Sequence, residues 1–274
     1  MAEPQVHPTA IVSDQAELGE DVVIGPFCLI EGKVKLGKGT IVDSHSVIKG
    51  VTVIGENCRI GHHAAVGADS QDKTYSGEES YLFVGKDNFF GDFTQITRGT
   101  SKTEDRATHI GDNNYIMSYG HVGHDSIIQN NVTIASLTAL GGHVLCEDNS
   151  YVGGGCVLHQ FIRVGTFAMI SGGTACPIDI PPYVRVAGYT GPVVGLNTIG
   201  LKRSGKFSDE ERANLKALYK AFFIEGGNIA DLFPELRARF PGDKNVDHFC
   251  TFVETSKRGV TRARKQVGAS NDDD

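Results

Sequence analysis

A chain of 274 residues with 40% hydrophobic content holds one large domain or two modest ones, and 34 glycines with no tryptophan suit a turn-dense architecture better than a bulky aromatic core. Met1 to Ala10 show neither a basic start nor an apolar run, and no stretch nears the ~20 apolar residues of a membrane span; a secretory signal and membrane insertion are not expected, and the protein reads as cytoplasmic. The net charge of −7 suggests no nucleic-acid partner, although residues 201–265 carry 14 Lys and Arg against 9 Asp and Glu, a basic surface that either steers an acidic partner or is a solvated helix face.

From Val12 an aliphatic residue recurs every six positions, at Leu18, Ile24, Ile30, Leu36, Val42, Ile48, Ile54, Ile60 and Val66. A second small or branched position keeps the same period at Ala16, Val22, Cys28, Val34, Thr40, Ser46, Thr52, Cys58 and Ala64. The repeat resumes at Val84, Phe90 and Ile96, and runs again from Ile110 to Cys176. Neither a 3.6-residue helix nor a two-residue strand alternation produces a strict period of six. A hexapeptide period marks a parallel β-helix, whose units bury their apolar face only by stacking. The pattern resembles the left-handed β-helix acyltransferases, and the resemblance implies three hexads per triangular coil and left-handed winding. The 25 units then make roughly eight coils, a prism about 40 Å long at ~4.8 Å between strands.

The period fails near 69–83 and again near 99–109, and both stretches read as loops thrown out of the solenoid. Such insertions sit at corners and either carry binding groups or form inert surface. The rod is expected to end near Cys176, because Pro177, Pro181 and Pro182 do not fit central strands. After a connection to about Gly205, Ser208 and Glu211 form a capping box for a helix through Leu215, Leu218, Tyr219, Phe222 and Phe223, stopped by Gly226 and Gly227. A second helix starts near Asn228 and reaches about Phe240, and a third covers about Val246 to Ser256. The expected organisation is a β-helix unit over 1–190, a helical unit over 191–265 and a disordered tail over 266–274.

Cys28, Cys58, Cys146, Cys156 and Cys176 fall on inward repeat positions and read as small buried hydrophobes in a reducing compartment. His124, His143 and His159 lie in units 18 residues apart, and His121 ends the preceding unit at the adjoining corner, so the four line one edge of a three-hexad prism. Zinc binding is one reading, but stacked coils spread the rings along a ridge, and no metal is expected. General-base chemistry is the other: an imidazole with an ordinary pKa near 6.5 can take a hydroxyl proton near neutrality. Asp125 offers a carboxylate beside His124, and spacing leaves open whether it reaches the ring.

The segments GHVGHD (Gly120 to Asp125), GGHV (Gly141 to Val144), LHQF (Leu158 to Phe161), DIPPYV (Asp179 to Val184) and GLKRSG (Gly200 to Gly205) resemble the UDP-N-acetylglucosamine acyltransferases of lipid A synthesis over nearly the whole chain. The resemblance implies His124 as general base for the sugar 3-hydroxyl, Asp125 as its acidic neighbour and the Gly142 N–H as oxyanion donor. It implies substrate contacts at Asp72, His121, His143, His159 and Gln160, nucleotide contacts at Asn197 and Arg203, and an acyl-chain ruler at Gly172. It also implies a homotrimer with sites between rods, an acyl carrier protein as donor, a UDP-sugar acceptor and no cofactor. Thr97 stands where the family usually has histidine, Thr74 where it has lysine, Ser204 in an Arg-Arg pair, and Ser136 and Leu137 in an Asn-Asn pair. The principal reading is transfer of a 3-hydroxyacyl chain to the 3-position of UDP-N-acetylglucosamine. The alternatives are N-acylation of a 3-amino UDP-sugar and a non-catalytic paralogue that binds nucleotide-sugar or carrier.

Overall fold

A computed structural model describes residues 3–263; the tail over 266–274 lies outside the described residues. Twenty-seven short strands, from Gln5–Val6 to Val184–Val186, wind into a parallel β-helix with three faces. Face one runs from Gln5–Val6 through Val23–Ile24 to Val184–Val186, face two from Ile11–Val12 to Ala175–Cys176, and face three from Glu17–Leu18 to Arg163–Val164. Each strand pairs with the one a full coil later, as Ile30 with Ile48 and Val122 with Leu140.

The period of six is a burial pattern. The aliphatic positions from Ile24 to Val66 and from Ile110 to Cys176 point inward and are at most about 3% exposed. Each such side chain removed from water contributes ~1.5–3 kcal/mol. The second position is also inward, and several of its buried hydroxyls bond the backbone of the next coil: Thr40 Oγ1 donates to Gly55 O at 2.9 Å and Thr138 Oγ1 to Gly153 O at 2.7 Å. All six cysteines are buried and unpaired. At most corners one turn residue takes positive φ, as at His45, Asn113, Asp125 and His143, which short polar residues tolerate better than most.

The rod extends past Cys176. Ile180 makes a parallel bridge to Val164, and Val184–Val186 pairs with Met169–Ile170. Pro181 and Pro182 fall in the turn between them, so no ladder hydrogen bond is lost and the prolines do not end the solenoid. An antiparallel strand, Val193–Leu196, then turns the chain back. The connection also contains a short helix, α1 (Thr198–Arg203), capped by Asn197, which six residues with an internal glycine do not announce. Next come α2 (Asp209–Tyr219), with both arms of the Ser208/Glu211 capping box formed, α3 (Ile229–Arg239) and α4 (Lys244–Glu254). Between α2 and Gly226 the chain continues as a π-helical turn, Lys220–Glu225.

Phe222, Phe233, Leu236 and Phe249 gather in a second core with Phe167 and Tyr183 of the rod. Arg163 fastens the two parts. It bonds Asp179 at 2.9 Å and Phe252 O at 2.7 Å, and its guanidinium lies 4.1 Å from the Phe252 ring centre.

Both loops leave the rod at one corner. Residues 69–80 interrupt the passage from face two (Ala65–Ala68) to face three (Tyr81–Val84), and residues 98–106 do the same between Gln95–Thr97 and Ala107–Ile110. The following coil carries His124 and Asp125 at the same corner, between His121–Val122 and Ile127–Ile128.

Candidate active site

Adjacent strand residues face opposite ways, but His124 and Asp125 stand in a turn. Asp125 has φ +58°, which swings its carboxylate back beside the preceding ring, and His124 Nδ1 lies 2.7 Å from Asp125 Oδ2. An ionised carboxylate only accepts, so Nδ1 carries the proton and Nε2 presents its lone pair.

The second loop fixes that carboxylate. Thr100 donates from its N–H to Oδ1 at 2.7 Å and from its hydroxyl to Oδ2 at 2.8 Å, and Thr103 adds a hydroxyl to Oδ1 at 3.0 Å. Asp125 is 5% exposed. Burial alone would raise its pKa, but the bonds from His124, Thr100 and Thr103 outweigh it and hold the carboxyl below its ordinary value. Sequence reading missed both threonines, since a loop 25 residues upstream has no register with the repeat. The signal was there in the insertion itself, which interrupts the rod at the corner that one coil later bears His124.

The first loop brings Asp72 to the same place, with Oδ2 3.9 Å from His124 Nε2. Lys102 of the second loop meets Asp72 at 2.5 Å, and Thr74 donates its hydroxyl and N–H to Oδ1 at 2.6 and 2.7 Å. These partners hold the Asp72 carboxyl well below the usual carboxylate range. Thr74, where the family resemblance expects lysine, thus serves Asp72, and the cation here is Lys102. Thr97 is fully buried with its hydroxyl 3.2 Å from Val122 O, so it presents nothing to the site. Arg98 roots the first loop through Gly67 O, Asp69 and the Tyr75 hydroxyl.

Below His124, in the next two coils, stand Gly142 and Gln160, and below Asp125 stand His143 and Phe161. A Cβ on Gly142 would lie 2.5 Å from His124 Cε1, so only glycine fits under the ring. The buried Gly142 N–H has no hydrogen-bond partner among the described residues. His143 meets His124 edge to face with ring centres 5.2 Å apart, stacks on Phe161 at 4.3 Å, and places Nε2 3.5 Å from Asp125 Oδ2. Burial pushes the His143 pKa down despite the pull of Asp125. Burial also lowers His121, with the nearby His124 adding to the effect; its Nδ1 lies 3.1 Å from Gln95 Oε1. His159 is exposed at the same corner, its Nδ1 3.0 Å from Gln160 O. His124, Asp125 and His143 bring ligand-type atoms within 4.8 Å of one another. Both Asp125 oxygens, however, are already committed to the threonines and His124, which makes the trio a poor metal cage.

Three candidate residues lie elsewhere on the chain. Asn197 and Arg203 line a cavity of about 480 Å³ against face one, with Tyr151, Met169 and Arg185, and Asn197 is held by Phe167 O at 2.9 Å. Gly172 lies at the corner between faces one and two, where a Cβ would stand 3.0 Å from Gly154 O. Leu137 shares that corner, 66% exposed and at φ +62°, in the coil that follows a column of rings formed by Phe27, His45, His63, Phe93 and Tyr119. Ser204 caps α1, its hydroxyl on Leu201 O at 2.8 Å.

Residues 179–261 match a family model described as Udp N-acetylglucosamine O-acyltransferase, Domain 2. The acyl-[acyl-carrier-protein]--UDP-N-acetylglucosamine O-acyltransferase of Alkalilimnicola ehrlichii is 44% identical over 258 residues, which is 94% of this chain and 99% of that protein. The Myxococcus xanthus protein of the same name is 42% identical with the same coverage. Among solved structures, the UDP-N-acetylglucosamine acyltransferase from Campylobacter jejuni superposes with a TM-score of 0.88 at 32% identity, covering 95% of this chain and 100% of that one. LpxA from Acinetobacter baumannii does so with a TM-score of 0.90 at 33% identity, covering 94% and 99%. This chain, a left-handed parallel β-helix with a helical C-terminal region, belongs to the UDP-N-acetylglucosamine O-acyltransferase family.

Proposed function

We propose that the protein transfers a 3-hydroxyacyl chain from an acyl carrier protein to the 3-hydroxyl of UDP-N-acetylglucosamine, the first acylation of lipid A synthesis. The single observation that carries this reading is the charge-oriented base. His124 is anchored at Nδ1 by Asp125 at 2.7 Å, its Nε2 is left as the acceptor nitrogen, and Gly142, whose N–H has no partner among the described residues, packs against the ring from the next coil.

In this reading Nε2 takes the proton as the sugar oxygen attacks the thioester carbonyl carbon, and the Gly142 N–H meets the oxyanion as it forms. The intermediate then collapses, the carbon–sulfur bond breaks, and the imidazolium returns its proton to the departing thiolate. Asp125 steadies the imidazolium without taking its proton. No step calls for a cofactor or a metal. Asp72, His121, His143, His159 and Gln160 ring the base as acceptor contacts, and Gly172 serves as the ruler for the chain end.

An intact base also favours a hydroxyl acceptor over an amine, which needs less help in losing its proton, and speaks against a paralogue that only binds. Asn197 and Arg203 line a cavity on face one, whereas His124 stands at the far corner of face two. That separation supports a homotrimer in which one rod offers the base and its neighbour the nucleotide pocket. The exposed Phe27–Tyr119 column with Leu137 supports burial of that edge between copies. The basic 201–265 segment fits an acidic carrier protein. We likewise propose a division into a β-helix unit over 1–190 and a helical unit over 191–265. Among the described residues no helix is long and apolar enough to cross a membrane, and six buried free thiols accord with a reducing, cytoplasmic setting.

The test is turnover followed by mass spectrometry, with 3-hydroxyacyl carrier proteins of several lengths and either UDP-N-acetylglucosamine or its 3-amino analogue. An ester product from the first acceptor supports the reading. Product from the amine alone would replace it with N-acylation, and product from neither would leave the binding paralogue.

A further inference from the structure

Four consecutive residues of the second loop tie it to the site and to the first loop. Thr100 and Thr103 hold Asp125, while Ser101 and Lys102 reach across to the first loop, Ser101 Oγ to Glu78 Oε1 at 3.2 Å and Lys102 Nζ to Asp72 Oδ2 at 2.5 Å. The Lys102 side chain is 46% exposed and that of Asp72 14%. Among the described residues Lys102 is the one Lys or Arg paired with Asp72.

His124 is faced from every side by groups that bear on its charge. Asp125 lies on its own turn at 2.7 Å, Asp72 on the first loop at 3.9 Å, His143 on the next coil with ring centres 5.2 Å apart, and His121 on the preceding strand. Two carboxylates against one imidazole favour the imidazolium, which cannot act as a base. One of them, Asp125, is needed to orient the ring. The other is offset by Lys102.

We propose that Lys102 is a positioning residue for the reaction, one that holds the Asp72 carboxylate in place and neutralised beside His124 so that the ring meets the acceptor hydroxyl as a free base. The half-exposed ammonium keeps donors beyond the one spent on Asp72, and these are free to meet an anionic acceptor. The role rests on the acyltransferase reading for its consequence in turnover, but not for its effect on the ring. It is built from a loop and owes nothing to the repeat.

The experiment follows the titration of His124 by NMR in full-length protein labelled at histidine Cε1, with the signal assigned through His124→Gln. Wild type, Lys102→Met and Lys102→Arg are compared, and acceptor KM and the pH dependence of kcat are measured alongside. In Lys102→Met the His124 midpoint is expected to rise by about half to one pH unit, the effect of a charge about 4 Å away in a well-solvated setting. The acid limb of kcat should move with it and acceptor KM should rise roughly threefold to tenfold. Lys102→Arg should restore both, and thermal stability should not change. Coincident midpoints in wild type and Lys102→Met would overturn the role even with turnover intact. A shifted midpoint in a protein that acylates neither acceptor would sustain it while removing the acyltransferase reading.

Discussion

Replacing Gly142 by alanine tests the site at its tightest point. The added Cβ would lie 2.5 Å from His124 Cε1 and 2.6 Å from Nε2, and ordinary contact starts near 3.4 Å, so the ring must retreat by about 1 Å. It cannot do so freely, since Nδ1 is bonded to a carboxylate that two threonines hold. Gly142 lies outside the left-handed region, so alanine meets no backbone penalty and the perturbation is steric. A displacement of about 1 Å in a catalytic group costs on the order of 10²-fold, and turning an oxyanion donor away costs ~10²–10³-fold. We expect kcat for Gly142→Ala to fall by roughly 10²–10³-fold, well below their product because both losses stem from one movement. Acceptor KM should change less, since the cavity at Asn197 and Arg203 is on another face. The carrier-protein assay gives kcat and KM, and circular dichroism checks the fold. A kcat within about threefold of wild type would refute the placement of His124 over Gly142.

Other consequences can be checked with the same assay. His124→Ala should remove ester formation by ~10²–10⁴-fold with unchanged melting temperature. Thr100→Val deletes the hydroxyl bond to Asp125 and leaves a buried carboxylate short of a donor, a loss of ~1.5–3 kcal/mol that should appear as a roughly tenfold to hundredfold drop in kcat. If neighbouring rods share a site, mixing His124→Ala with Arg203→Ala subunits should recover roughly a quarter of wild-type activity, because each mixed trimer regains one intact site; no recovery would place both residues in one subunit's site. His248 sits 2.8 Å from Glu147, and this bond raises its pKa against the effect of burial. A raised folded value means that the stabilisation is complete below the ordinary histidine pKa and fades as pH rises through the folded one. Glu147→Gln should therefore lower the melting temperature more at pH 6 than at pH 9.

The repeat made the rod legible because a period of six leaves little freedom: Ile24 through Val66 point inward or the coils do not close. The Ser208/Glu211 box and the inward cysteines were equally local. Continuation of the rod past Pro181 and Pro182 was not, since whether a proline ends a solenoid depends on whether it falls in the strand or in the turn. The site was legible as an edge of histidines, but not as a mechanism. The His124–Asp125 bond depends on a positive φ at Asp125 that ordinary strand alternation conceals, and Thr100 and Thr103 depend on how a loop folds back. The roles of Asn197, Arg203 and Gly172 came from resemblance alone, and one rod keeps all three away from the base.

The two parts of the site answer to different constraints. Asp125, His143 and Phe161 occupy one turn position in successive coils, so moving any of them means moving a corner of the rod. Thr74, Thr97 and Lys102 lie on or at the root of insertions, where a change costs the solenoid little. At Thr97 the chain spends a hydroxyl on Val122 O, and at Thr74 it spends one on Asp72. Each forgoes a direct contact that the family resemblance leads one to expect, worth ~1.5–3 kcal/mol if charge-assisted. Lys102 restores a cation at Asp72 from the opposite loop. The net loss in acceptor affinity should then be nearer one such contact than two, because a positive charge at this corner is required by the base and not by any particular loop.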